Sequence, residues 1–188
     1  MAFNLVKGEK ISLSKQNPGL KKIRIGLSWD MKPGVEADLD ASVLLLSNSG
    51  KLINDTALVF YNNLTSFDES VQHAGDNRTG SGDGDDEVIT VDLVKTKADT
   101  ILIAITSYAA PTAEAVIFGR VKNATVKLYD DEKNEVLYVF DLTEDMSNAT
   151  AMEMAKIYKH NGEWKYAALG EKAGTSKNGL EDIVNKYS

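Results

Sequence analysis

Between Gly75 and Glu87 the chain reads GDNRTGSGDGDDE, with five carboxylates and four glycines in thirteen residues against the single positive charge of Arg78. Carboxylates at that density repel. Two of them about 4 Å apart do so by roughly 1 kcal/mol in water and about 4 kcal/mol at an effective dielectric near 20. Coordination of a hard divalent cation relieves this, since calcium takes about six to eight oxygen ligands from carboxylates, amides, backbone carbonyls and water in a flexible geometry. Asp76, Asn77, Asp83, Asp85, Asp86 and Glu87 offer such oxygens, and Gly75, Gly80, Gly82 and Gly84 let the backbone turn back so that they converge. Composition alone leaves a solvated acidic surface as the alternative. Two features favour the cation. Glu87 leads directly into the alternating stretch VITVDL, which tethers the cluster to a strand end, and Asp38 and Asp40 lie two apart on one face of a predicted strand, with Asp30 upstream.

Other loop chemistries fit poorly. With Asp76 at position one of an EF-hand, Glu87 falls correctly at position twelve, but Arg78 occupies position three, Ser81 replaces the glycine at six, and a strand follows where a helix is required. The glycine-aspartate pattern occurs once, so it is not a nonapeptide β-helix repeat. No Gly-Lys-Ser/Thr is present to cradle a phosphate, and the loop's own charge would repel one.

An enzyme would need an acid-base or nucleophilic constellation. The two histidines, His73 and His160, read as a surface histidine near the acidic loop and a residue at a helix C-terminus favoured by the dipole. Trp29, Trp164, Tyr158 and Tyr166 read as core aromatics at strand spacing rather than a ring-stacking site. A metal-dependent hydrolase acting on phosphate esters could use clustered carboxylates. Nothing supplies the basic groups that would hold its substrate, so it is the alternative reading, together with a small-molecule or nucleotide-binding protein. The expectation is a protein that is not an enzyme.

The bulk properties agree. A length of 188 residues with 43% hydrophobic content is expected to form a single domain over 1–188 with a real core. The formal charge of -7 argues against a nucleic-acid partner. The absence of cysteine excludes disulfides, thiolate zinc sites and cysteine nucleophiles. With no long apolar run at the N-terminus or elsewhere, a cytoplasmic location without direct membrane insertion is expected, and the triplet Asn148-Ala149-Thr150 is then a chance match to a glycosylation acceptor.

The elements that must position the loop are mainly strands. KIRIGLSW places Ile23, Ile25, Leu27 and Trp29 on one face, and DLDASVLLL places Leu39, Ala41, Val43 and Leu45 on one face. TALVFY, EVITVDL, TILIAITSY, NATVKLYD and EVLYVFDL follow between turn-rich segments. TILIAITSY is apolar on both faces, as a central strand would be, whereas ATVKLY has one wetted face. SNATAMEMAKIYKHNG reads as a helix, with Thr150 and Glu153 as a capping box, Ala151, Met154, Ala155 and Tyr158 on one face, and Asn161-Gly162 as a left-handed stop. GEWKYAAL reads as a further strand and GLEDIVNKY as a short terminal helix. The fold class is all-β: a two-sheet β-sandwich with a late helix packed on it and a short C-terminal helix.

The segments LSWD, ADLDASVLLL, ALVFYNNL, VQHAGDNRTGSGDGDDEVITVDL, FGRVKNATVKLYD and YVFDLTEDMSNATAMEMAKIYKHNGEWKYAALG occur in the order and spacing of the TerD family of tellurium-resistance proteins, which the chain resembles over nearly its whole length. The resemblance implies a calcium-binding β-sandwich, cytoplasmic and bacterial or phage-borne, associated with resistance to tellurite and other chemical stress. It implies two calcium ions, with ligands drawn from Asp38, Asp40, Asn62, Asp76, Asn77, Asp83, Asp85, Asp86 and Glu87. Partners would be other stress-resistance proteins, with a membrane-associated complex reached through protein contacts. The family pattern GEGEGDDE is altered here, with Ser81 in place of one glutamate and Asp83 in place of the other. SYAAPTAEAVIFG also departs from the family's charged approach to QNFG, and the tail GEKAGTSKNGLEDI follows its glycine-rich ending only loosely.

Overall fold

The computed structural model describes residues 3–31, 38–75, 84–108, 121–141, 149–174 and 178–188. Among these the strands are β1 (Phe3–Asn4), β2 (Lys10–Ser12), β3 (Lys22–Met31), β4 (Asp38–Leu46), β5 (Leu58–Val59), β6 (Val71–His73), β7 (Glu87–Asp92), β8 (Thr100–Tyr108), β9 (Val121–Asp130), β10 (Glu135–Asp141), β11 (Ala151–His160) and β12 (Glu163–Gly174), with helices α1 (Leu13–Gln16) and α2 (Gly179–Tyr187). The strands form two six-stranded sheets. The first has the order β1-β10-β9-β3-β7-β6 and the second β2-β12-β11-β8-β4-β5.

The period-two expectation holds in detail. On β3 the side chains of Ile23, Ile25, Leu27 and Trp29 are buried, as are Leu39, Ala41, Val43 and Leu45 on β4 and Ile89 and Val91 on β7, all in one core between the sheets. Each fully buried aliphatic contributes about 1.5–3 kcal/mol relative to exposure. β8 lies between β4 and β11 and is buried on both faces, as its unbroken apolar run implies. Its outward residues Leu102 and Ala104 join Leu44, Leu46 and Ala151 beneath Ile183 and Tyr187 of α2. The C-terminal helix thus covers the outer face of the second sheet, and Asn178 caps it by accepting from the Glu181 N–H.

The late helix is not formed: Ala151–His160 are β11, and residues 147–148 of that segment lie outside the described residues. The helical spacing of the apolar residues has a different origin. A bulge between Glu153 and Ala155 puts two consecutive residues, Met154 and Ala155, in the core, while the opposite face is buried under α2. A strand buried on both sides and interrupted by a bulge loses its alternation, and Ala, Met, Glu and Lys are good helix formers, so the local signal pointed the wrong way. Glu153 does not close a capping box. It is buried, and accepts from the Tyr187 hydroxyl at 2.9 Å and the Lys186 ammonium at 2.6 Å.

Asn161-Gly162 is a hairpin turn between β11 and β12, with His160 paired to Glu163 and both turn residues at positive φ, 52° and 75°. Gly162→Val is therefore expected to lower stability by about 1–2 kcal/mol in a denaturant titration, the cost of a left-handed backbone for a residue with a β-carbon. An unchanged midpoint would refute this account of the turn.

Candidate functional site

The acidic segment enters the first sheet at β7, and its last three carboxylates part company there. Glu87 is the first residue of β7, on the inward face with Ile89 and Val91. Its side chain is buried between the sheets, where Oε2 accepts from the Ala41 N–H of β4 at 2.6 Å. This bond falls on the edge of the second sheet, where β4 runs past the short β5. Glu87 therefore joins the two sheets at one end of the sandwich, through Ala41, the residue that follows Asp40.

His73, on neighbouring β6, has its Nε2 3.7 Å from Glu87 Oε2, and both side chains are fully buried. The expectation of a surface histidine is corrected. β6 alternates inward at Val71 and His73, and the ring turns toward the carboxylate. Its Nδ1 accepts from the Gly75 N–H at 3.0 Å, so in the neutral ring the proton sits on Nε2, facing Glu87. His160 is likewise not at a helix end; it is the exposed last residue of β11.

Asp86 lies beside the end of β3. Its Oδ2 accepts from the Trp29 N–H at 3.1 Å and its own N–H donates to the Leu27 carbonyl at 2.7 Å. Burial, followed by the charges of Asp30 and Asp85, raises its pKa, against lowering by the Trp29 N–H and Lys127. A proton or a cation would relieve that crowding. Asp30 itself accepts from the Asn123 amide at 2.7 Å.

Asp85 goes elsewhere, to the outer face of the first sheet, where Lys127 pairs with it at 3.1 Å and its side chain is 8% exposed. Tyr129, on the same face of β9, has its pKa pushed up to about 12 by burial and then by the neighbouring Asp85 carboxylate.

On β4, Asp38 and Asp40 alternate with the core residues Leu39 and Ala41, so both face outward from the second sheet, Asp40 opposite Thr106. Asp40 is 3% exposed, and both carboxylates keep polar or electrostatic partners. Asn62 is exposed in the turn closed by reciprocal Phe60 and Asn63 backbone bonds. Asp76, Asn77 and Asp83 lie outside the described residues, as do Ser81 and most of SYAAPTAEAVIFG. Among the described residues no three acidic or imidazole side chains gather closely enough to hold an ion.

The donor chemistry nevertheless suits a hard cation. Glu87 Oε1 is buried and has no hydrogen-bond partner among the described residues, and an unpartnered buried carboxylate oxygen is costly unless something positive meets it. Glu87 and Asp86 supply oxygens of the kind a calcium ion takes, while the Asp85 carboxylate is paired with Lys127.

Sequence reasoning missed three participants. His73 reads as a surface residue, Lys127 only as part of a wetted face, and Gly26 carries the one signal available, since a glycine inside an alternating strand marks close approach by another group. The four aromatics divide: Trp29 and Tyr166 are core, while Trp164 and Tyr158 are half-buried. Among the described residues no helix is long and apolar enough to cross a membrane.

A family model described as the TerD domain matches residues 1–187. The chain is 45% identical over 175 residues to a tellurium resistance protein TerD of Serratia marcescens, covering 91% of each. It is 45% identical over 192 residues to general stress protein 16U of Bacillus subtilis (strain 168), covering 100% of this chain and 97% of that one. Among solved structures it is similar to a homologue of telluride resistance protein (TerD) from Streptomyces coelicolor A3(2), with a TM-score of 0.72, 19% identity, and 87% of this chain and 96% of that one covered, a likeness of fold.

Proposed function

Because the chain belongs to the TerD domain family, we propose that it is a calcium-binding, non-catalytic module of a cytoplasmic system of tellurium and chemical stress resistance. Its acidic segments hold two Ca2+ ions and thereby order a surface for other stress-resistance proteins. The resistance role is supported by what its relatives are called. The cation reading is supported by one observation above all, the buried Oε1 of Glu87 without a hydrogen-bond partner among the described residues, next to an Asp86 whose ionisation is opposed by burial and neighbouring carboxylates. Calcium supplies charge neutralisation and oxygen coordination and takes part in no bond-breaking step. The protein's contribution is to hold Asp86 and Glu87 at the start of β7, where Asp30 and Asp85 crowd the Asp86 carboxylate until an ion arrives.

Thermal melts in calcium, magnesium and chelator test this. At free calcium about a hundredfold above the dissociation constant, binding to the folded state alone adds about 2.7 kcal/mol. For a chain of this size that raises the melting temperature by about 5–10 °C. Magnesium, which demands tight octahedral geometry and keeps its waters, is expected to give a much smaller shift. Identical melts in calcium and chelator, with no heat of binding, would refute the reading.

A further inference from the structure

We propose that Asp85 is a positioning residue, which fastens the acidic segment to the outer face of the first sheet and stays off the ion, leaving Asp86 and Glu87 to meet it. The inference rests on the cation reading above.

Its basis is a notch in β3. Along that strand Ile23, Ile25, Leu27 and Trp29 point into the core, so Arg24, Gly26 and Ser28 point outward. Position 26 has no side chain, and the Asp85 carboxylate occupies the space. A β-carbon added to Gly26 would come within 2.1 Å of Asp85 Oδ2 and 2.3 Å of its Cγ. Lys127, the cross-strand partner of Gly26 on β9, closes the notch by donating to Asp85 Oδ1 at 3.1 Å. On the next outward-facing pair along the two strands, Arg24 lies 4.2 Å over the Tyr129 ring.

Asp85 and Glu87 are two residues apart and would share a face if the chain were extended. The bends at Gly84 and Asp86 send them to opposite faces of the first sheet, one onto Gly26 and the other between the layers. Asp85 could reach an ion held by Glu87 only by leaving both the notch and Lys127. The Asp86 N–H bond to Leu27 fixes the intervening residue, so the fastener sets where the next two carboxylates point.

Calorimetric calcium titration of the full chain separates a fastener from a ligand through Lys127→Met. Removing a positive charge near an acidic cation site strengthens calcium binding by charge alone. If Asp85 works as a fastener, Lys127→Met instead weakens it. Asp85→Asn is expected to weaken binding by about tenfold, the low end for a residue that orients ligands, with the number of ions bound per chain unchanged. In the Asp85→Asn background, Lys127→Met is expected to cost no further affinity. Tighter or unchanged binding by the single Lys127→Met variant, or fewer ions bound by Asp85→Asn, overturns the proposal.

Failure of the calcium reading itself would be seen separately, as no binding heat from the unaltered protein. The fastening is then still read in chelator, by amide hydrogen exchange at Asp86. Asp85→Asn is expected to speed that exchange by tenfold or more, and unchanged exchange overturns the fastening.

Discussion

Glu87→Gln is expected to reverse its effect on stability according to whether calcium is present. In chelator the variant should be at least as stable as the parent, by about 1 kcal/mol, because a buried carboxylate with one unpartnered oxygen among the described residues is exchanged for a neutral group of the same shape. The bond from the Ala41 N–H holds the amide oxygen in the place of Oε2. The amide nitrogen then takes the place of Oε1 and turns two hydrogens toward the cation, where it cannot act as a ligand. In saturating calcium the parent gains about 2.7–4.1 kcal/mol over a hundredfold to a thousandfold excess above the dissociation constant, and the variant loses most of that gain. Denaturant titrations of both proteins in calcium and in chelator give the four free energies required. If the variant kept the whole calcium increment, Glu87 would not be a ligand. If it fell below the parent in chelator, the carboxylate would be a structural member satisfied by His73 and Ala41 alone.

Much of the fold was legible because alternation survives where one face of a strand is wet, as on β7 and β10, and because unbroken aliphatic runs mark β4 and β8, which are buried on both faces. β4, β8 and α2 coincide with the segments marked by pattern, and β7, β9 and β10 agree closely. The short edge strands β1, β2 and β6 have too few residues to show a period, and their placement depends on the longer strands beside them. β11 was misread because two buried faces and a bulge imitate helical spacing. Asn161-Gly162 carried the correcting signal, since it serves a hairpin as well as a helix stop and is followed at once by the strand-like GEWKYAAL.

The site divides along the same line. Composition located the acidic end, and the tether at Glu87 was correctly read from the strand that follows it. Composition could not sort neighbouring carboxylates by face, because residues 84–86 are not in a strand and the period of two does not apply to them. Asp85, Asp86 and Glu87 look equivalent in the sequence and have three different surroundings in the fold: Lys127 on the outer face, the Trp29 N–H at the end of β3, and Ala41 between the sheets. Asp38 and Asp40 do share a face, as their spacing requires, and it is the outer one.

Glu153→Ala is expected to loosen α2 from the second sheet and to lower stability by about 2–3 kcal/mol. The carboxylate is buried and is the acceptor for two groups of the helix, Lys186 and Tyr187. Breaking a buried charged pair costs about 3–5 kcal/mol, and the lower figure applies here because the Lys186 side chain is 54% exposed and regains water. Loosening would uncover Leu44, Leu46, Leu102 and Ala104, so binding of a hydrophobic dye should rise together with amide exchange in residues 179–187. The same contact makes a signed prediction for pH. Burial, the hydrogen bond to Glu153 and the charges of Glu153 and Glu171 all hold the Tyr187 hydroxyl well above its ordinary value. A group whose pKa is raised by folding contributes stability that is complete below its unfolded value, about 10, and is lost as the pH climbs beyond it. The parent should therefore weaken steeply above pH 10. Tyr187→Phe gives up a hydrogen bond to a charged group, about 1.5–3 kcal/mol at neutral pH. It should then decline less steeply in alkali, with a residual slope from Tyr129, Tyr138 and Tyr166, whose pKa values are also raised. Parallel curves for the parent and Tyr187→Phe above pH 10 would show that the hydroxyl is not what clasps the helix.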